Sequence, residues 1–392
     1  MSDRKYKPGK HFLQLPGPSN VPDRILNAMC YPTIDHRGPQ FSELALKCLS
    51  GIKTIFKTKN PVIIFPASGT GAWEAALVNT LNDGDNVLMV ETGHFASLWD
   101  SMAKKLGLQV ELLKTDWRQG LDPNEIEKRL KLDVDKKIKA VCIVHNETST
   151  GCTSDVKAVR EILDNLNHDA LLMVDTISGL ASIDFEHDEW GVDITISGSQ
   201  KGLMLPPGLS FNAISEKAIN ASKKSTLKKS YWDWDEHLEF NKTGFFPYTP
   251  ATNLLFGLKE AIDMLHEEGL TNVFKRHARY SKATRLAVKT WGLEVYCQND
   301  QRFSDVLTAV LVPENKDADQ LRKIILENFN MSLGNGLSKL KGKVFRIGHL
   351  GDFNDISLLG VLSGIEMGLD LMQIPIKEAG VEKAREYLKE NL

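Results

Sequence analysis

The sequence predicts an α/β protein with a mostly parallel central sheet in a large domain, followed by a smaller C-terminal α+β domain. Three observations carry the prediction. Between residues 61 and 214, short, continuously apolar runs alternate with segments of helical period. Strands show this pattern when crossover helices bury both faces of a parallel sheet. Beyond residue 291 the alternation stops and strand and helix patterns mix, which marks a second unit. The 392 residues suffice for about two domains of ordinary size.

The elements follow in chain order. Residues 1–20 form an N-terminal arm, because Pro16-Gly17-Pro18-Ser19-Asn20 is too stiff and too poor in hydrogen bonds for a helix. Pro22 opens a short helix, residues 35–39 form a loop, and residues 43–56 have an amphipathic helical period. Strands are predicted at 62–65, 86–90, 110–113, 139–144, 170–174, 193–196 and 209–214. Helices fall between them at 71–81, 98–106, 123–130 and 155–166. A long helix at 251–268 ends at Gly269, a C-cap residue, and another covers 272–290. Strands at 305–312 and 344–347 and a helix at 317–328 build the small domain. The expected units are the arm 1–20, a large domain 21–265 and a small domain 266–392.

Hydrophobic content of 42% and charged content of 25% are those of an ordinary globular protein. A net charge of -3 leaves no electrostatic footprint for nucleic acid. The cluster Lys223, Lys224, Lys228 and Lys229 reads as a solvated helix end. Five cysteines, odd in number and without a C-x-x-C pair, predict a reduced chain. Residues 1–10 lack the apolar core of a secretory signal, no apolar run is long enough to span a bilayer, and Asn391-Leu392 is not a peroxisomal address. The expected compartment is the cytoplasm. His36, His94, His145 and His349 show no metal-ligand spacing, so no metal is expected.

Lys201 follows the apolar run 192–196 and precedes Pro206-Pro207-Gly208, a turn that cannot continue a helix. It leaves the sheet at the carboxyl edge, where open α/β sheets bind ligands. Loop lysines are ordinarily solvated. This one is the sole charge between Asp193 and Ser215, and a solitary cation among small and apolar residues suits a Schiff-base amine.

The run Pro66-Ala67-Ser68-Gly69-Thr70-Gly71-Ala72-Trp73-Glu74 passes from a strand into a helix. Its small residues let the backbone approach an anion at the positive end of the helix dipole, so it reads as a phosphate site rather than a plain turn. No P-loop pattern is present. A dinucleotide fingerprint would need glycine at position 74, where Glu74 stands. Glu91, however, ends the next strand where a ribose-binding acid would sit. An NAD-dependent Rossmann oxidoreductase is therefore the rival reading.

The run 170–174 ends in Asp175, 26 residues before Lys201, the length of one strand–connection–strand unit. Both side chains then emerge from carboxyl ends of strands in one sheet. An acid, a phosphate cradle and a lysine around one crevice are what pyridoxal 5′-phosphate requires. The acid keeps the pyridine nitrogen protonated and the lysine holds the aldehyde. A nicotinamide cofactor uses no such lysine.

The chain resembles the class V aminotransferases of fold type I, the pyridoxal-phosphate-dependent transferase fold, and among them the serine–glyoxylate group. The matching segments are Leu15-Pro16-Gly17-Pro18, Asp35-His36-Arg37-Gly38-Pro39, Phe65 to Glu74 and His145-Asn146-Glu147-Thr148. They continue with Asp188-Glu189-Trp190-Gly191-Val192-Asp193, Gly198-Ser199-Gln200-Lys201-Gly202, Pro247-Tyr248-Thr249-Pro250 and Phe345-Arg346-Ile347-Gly348-His349-Leu350-Gly351. They span nearly the whole chain in family order.

The resemblance implies a role for each matching position. Lys201 would hold the cofactor aldehyde, with Gln200 beside it on the phosphate. Ser68, Gly69 and Thr70 would bind the phosphate from the helix N-terminus. Phe95 would stack on the ring, Thr148 would bond its hydroxyl, and Asp175 would pair with its nitrogen. Tyr248 and Thr249 complete the cofactor contacts, Thr249 reaching the phosphate of the neighbouring subunit, so the implied active unit is a homodimer. Arg346 would clamp the substrate α-carboxylate. A guanidinium fork matches a carboxylate, and an unpaired charge in a short apolar strand is costly, a structural ion pair being the alternative. Arg37 and His36 would help select the amino donor in the partner's site.

The implied reaction is a ping-pong transamination through pyridoxamine phosphate. Lys201 takes the Cα proton, and glyoxylate accepts the amino group to become glycine. Serine is the favoured donor and would leave hydroxypyruvate. Aspartate, welcomed by His36 beside Arg37, and alanine are the alternatives. A cysteine desulfurase would need a nucleophilic cysteine ahead of Arg346, and residues 331–337 supply none. Trp232 and Trp234 alternate with Asp233 and Asp235 at strand period and read as a packed surface loop, with the substrate mouth as the alternative.

Overall fold

The seven apolar runs between residues 62 and 214 form one sheet, and a strand near the N-terminus joins a second. The computed structural model describes residues 8–392; residues 1–7, the start of the predicted arm, lie outside the described residues. The chain opens with β1 (Phe12–Gln14), α1 (Asp23–Met29), α2 (Pro39–Phe56), β2 (Val62–Phe65) and α3 (Gly69–Thr80). There follow β3 (Asn86–Glu91), α4 (His94–Lys105), β4 (Gln109–Lys114), α5 (Pro123–Leu132) and β5 (Ile138–Val144). A small hairpin, β6 (Asn146–Glu147) and β7 (Cys152–Thr153), precedes α6 (Val156–Asn165), β8 (Leu171–Asp175), β9 (Ile194–Gly198) and β10 (Ser210–Ile214). Next come α7 (Glu216–Ser222), α8 (Trp234–Asn241), α9 (Thr252–Glu268), α10 (Leu270–Trp291), β11 (Glu294–Val295) and β12 (Leu307–Leu311). The chain closes with α11 (Ala318–Phe329), β13 (Met331–Asn335), β14 (Val344–Gly348), α12 (Asp355–Leu371) and α13 (Gly380–Glu390).

The large sheet has the order β2-β10-β9-β8-β5-β3-β4. Every neighbouring pair is parallel except those made by β10, which runs antiparallel to β2 and β9. The reason lies in the connection. Residues 199–209 between β9 and β10 hold no helix, and a parallel return needs a crossover of a dozen or more residues. Strands β2, β8, β9 and β10 are buried at every residue. That burial is why they read as continuous apolar runs.

Helices α2 and α9 cover one face through Phe41, Phe56 and Ile262, and α3 and α4 cover the other through Trp73 and Trp99. Those two indoles stack with centroids 5.8 Å apart. The second sheet, in the order β1-β13-β14-β12-β11, packs against α10 to α13 around Trp291, Phe345 and Ile365.

Three features that the sequence reading missed have a ready physical reason. The arm contributes β1, which pairs in parallel with β13; three residues are too few to show a period. Helix α2 begins at Pro39, because proline at N1 has no N–H to satisfy and a φ already suited to the helix. Trp234 is fully buried and opens α8, whose cap Asp233 accepts from the Asp235 N–H, so this stretch is a helix start rather than a surface loop. Among the described residues no helix is long and apolar enough to cross a membrane.

Several buried histidines make stability depend on pH. The His277 Nδ1–H bonds the Val273 carbonyl at 2.7 Å, and its Nε2 accepts the Gly351 N–H at 3.2 Å, so a proton added there has no acceptor. Burial holds His277 and His349 down to about 3, and His145 and His187 down to about 4. The unfolded chain binds protons at these rings below about pH 6.5, whereas the folded chain does not. Their contribution is therefore complete above pH 6.5 and is lost as pH falls towards 4. Each such ring is expected to cost about 1.4 kcal/mol per pH unit in that window. Urea unfolding at pH 7.5 and pH 5 measures the loss, and an unchanged midpoint would contradict it.

Candidate active site

Strands β8 and β9 are parallel neighbours, with Asp175 opposite Ile196. Asp175 therefore ends one strand as Lys201 leaves the loop after the next. One cavity at this edge is lined by Ser68, Gly69, Thr70, Phe95, Thr148, Asp175, Gln200 and Lys201. These are eight of the predicted site residues, drawn from five separate segments. A larger groove of about 750 Å³, running over α12 beside Ile374 and Val381, contains none of them.

Asp175 is buried, and its carboxylate takes two hydrogen bonds. Oδ1 accepts from the Ile177 N–H at 2.7 Å and Oδ2 from the Trp73 indole at 3.1 Å. Burial raises its pKa to about 7 against the pull of those donors. Burial and the nearby Arg346 charge lower Lys201 to about 8. Burial is the leading cause of both shifts, and it disfavours the charged form of each group.

Ser68 makes no side-chain cap to α3, and while the Gly71 N–H bonds the Ser68 carbonyl, the Gly69 and Thr70 N–H groups are left for an anion. The Gln200 Oε1 atom is buried without a hydrogen-bond partner among the described residues. An open helix terminus beside the Gln200 amide, and a buried acid along the same cavity, match the phosphate and the ring nitrogen of pyridoxal phosphate. The residues fit that group.

Arg346, on β14, is 7% exposed and has no carboxylate within ion-pair distance among the described residues. Its Nε donates to the Asn335 carbonyl and its Nη1 to the Thr148 carbonyl, both at 2.7 Å. Burial lowers its pKa to about 10. The N–H groups left over on the fork are available to a carboxylate that arrives from outside.

Besides Arg346, four predicted site residues do not line this cavity. Arg37 is exposed beside Asp35, and His36 is half-buried in the same loop. Tyr248 stacks on Tyr231 at 4.6 Å and donates to the Ser230 carbonyl, and Thr249 is exposed.

Three groups at the cavity carried no role in the sequence reading. Trp73 stood inside the quoted glycine-rich run, and only the turn of α3 aims its indole at Asp175. Asn146 and Ser178 bond each other at the cavity wall across 32 residues of chain. Pro16 accepts from Lys201 Nζ at 2.9 Å through its carbonyl, and a Cβ at Gly17, where φ is +109°, would overlap the Lys201 side chain. Gly17→Ala is expected to displace the amine rather than unfold the protein. It should lower turnover about tenfold or more while leaving thermal stability within about 2 kcal/mol of wild type. Activity assays and melting curves on one preparation test this, and unchanged turnover would refute it.

The fold and this cavity define an α/β enzyme that presents a lysine amine and a buried carboxylate at the carboxyl edge of its sheet. The family model Aminotransferase class-V matches residues 12–336, and the chain belongs to that family. It is 45% identical to a serine–glyoxylate aminotransferase of Arabidopsis thaliana, over 100% of this chain and 98% of that one. It is 40% identical to an L-aspartate–glyoxylate aminotransferase of Paracoccus denitrificans, over 96% of each chain. The crystal structure of ureidoglycine–glyoxylate aminotransferase from Bacillus subtilis superimposes with a TM-score of 0.90 at 26% identity, covering 98% of this chain and 100% of that one. The protein is an aminotransferase, and the oxidoreductase reading falls.

Proposed function

We propose that this aminotransferase depends on pyridoxal 5′-phosphate and moves the amino group of serine to glyoxylate, leaving hydroxypyruvate and glycine. The observation that carries the reading is the meeting of Lys201, Asp175 and the open N-terminus of α3 in one cavity. The full-length similarity to a serine–glyoxylate aminotransferase supports the donor and acceptor over the more distant aspartate relative.

Ser68, Gly69, Thr70 and Gln200 would hold the cofactor phosphate, Phe95 would face the ring, Thr148 would bond its hydroxyl, and Asp175 would bond its nitrogen. When bound, the cofactor supplies an aldehyde to take up the amino group and a ring to withdraw electrons from the substrate Cα. Asp175 keeps a proton on the ring nitrogen. Arg346 binds the substrate carboxylate and so turns Cα towards the lysine. Lys201 Nζ removes the Cα proton and returns one on the far side of the transfer, its lowered pKa leaving a free base near pH 8. In the second half-reaction the same groups act in reverse order on glyoxylate.

Tyr248, Thr249, His36 and Arg37 are proposed to complete the partner's cavity in a homodimer, and the cytoplasm is the proposed compartment. Purified protein should be yellow, and borohydride should fix the cofactor at Lys201; a colourless protein that takes up no cofactor would end the reading. Assaying a panel of amino acids with glyoxylate tests the donor, and faster turnover of aspartate than serine would replace it.

A further inference from the structure

Helix α4 carries Phe95 but has no side-chain N-cap of its own, since its N-cap residue is Gly93. The cap comes from Glu147, which lies in the β6–β7 hairpin and is fully buried. Its Oε2 accepts from the N–H groups of Phe95 and Ala96, each at 3.2 Å. Its Oε1 accepts from the Ser149 N–H at 3.0 Å and the Ser149 hydroxyl at 2.6 Å. The Ser149 oxygen in turn accepts from the His94 N–H at 2.9 Å.

Two orphan amides of the helix terminus therefore meet one hairpin carboxylate directly, and a third, from His94, reaches it through the Ser149 hydroxyl. A negative charge is favoured there by the helix dipole. The packing leaves no slack, because a Cβ at Gly93 would overlap Glu147 and Ser149. Thr148, the next residue in the hairpin, offers its carbonyl to Arg346. The charge of Glu147 also favours the charged form of Arg346. Glu147 stood in the motif His145-Asn146-Glu147-Thr148 without a role.

We propose that Glu147 is a positioning residue that locks Phe95 on α4 to Thr148 on the hairpin, so that two sides of the cofactor pocket are set before the cofactor arrives. The proposal rests on the cofactor reading above. Glu147 does not line the cavity; it would act through Phe95 and Thr148, which do.

Glu147→Gln keeps the shape, removes the charge and turns one acceptor into a donor facing donors. Ser149→Ala, which keeps the charge and removes one arm of the contact, is the milder second variant should the first not fold. Amide exchange in the unloaded protein should rise about tenfold or more in Glu147→Gln, at the start of α4 and in residues 147–153 together, while α5 is unaffected. The dissociation constant for pyridoxal phosphate should rise about tenfold or more, and the induced circular dichroism of the bound cofactor should change. Ser149→Ala should move all three readouts in the same direction by about threefold. Unchanged exchange would overturn the proposal. So would raised exchange with wild-type cofactor affinity and dichroism, which would leave Glu147 a helix cap only. If wild-type protein takes up no cofactor, the functional reading fails first and the positioning role falls with it, a result that the exchange data on the unloaded protein keep distinct.

Discussion

Lys201→Ala is expected to lower transamination by about 10²- to 10⁴-fold, the range for losing a positioned general base, while the protein still takes up cofactor. The retained uptake follows from the geometry. The open terminus of α3, Gln200 and Asp175 come from other segments or other side chains, and none of their hydrogen bonds runs through the Lys201 amine. Removal of the side chain also frees the Pro16 carbonyl, which can be met by water at the cavity. Absorbance titration and turnover on the same preparation give the two readouts. Substantial residual turnover would show that another group takes the Cα proton.

Arg346→Lys is expected to lower kcat/KM for the amino donor by about 10²-fold or more. The wild-type guanidinium is held by the Asn335 and Thr148 carbonyls and still has N–H groups to spare. An ammonium cannot keep both carbonyls and also present a fork to a carboxylate. Losing one or two charge-assisted hydrogen bonds accounts for the size of the effect. The loss should vanish for an amine donor without a carboxylate, since that donor never used the fork. An equal loss for both donors would make Arg346 a structural residue.

Much of the fold was legible because its determinants are local. Val62 to Phe65 and Leu171 to Val174 are apolar without alternation because both faces of the sheet are covered. Asp175 and Lys201 stood out as charges placed at the ends of such runs. The start of α4 was not legible. It begins four residues ahead of the predicted residue 98 because its cap, Glu147, lies over fifty residues downstream. Strand β1 was hidden for the same kind of reason, as its partner β13 is more than three hundred residues away.

The sequence by itself determined the alternation of strands and helices, the acid and the lysine at one edge, and the small-residue run between a strand and a helix. Those depend on periodicity and on residue type at element ends, and both are written within a few neighbouring positions. Only the tertiary structure decided that Trp73 bonds Asp175, that the arm carries Pro16 to Lys201, and that Glu147 joins Phe95 to the hairpin of Thr148. Each of these joins segments far apart in the chain, through one or a few hydrogen bonds that leave no period to read. Where the amine of Lys201 sits is therefore settled by chain far from it in sequence, the Pro16 carbonyl above all, though the lysine itself was visible from its own segment.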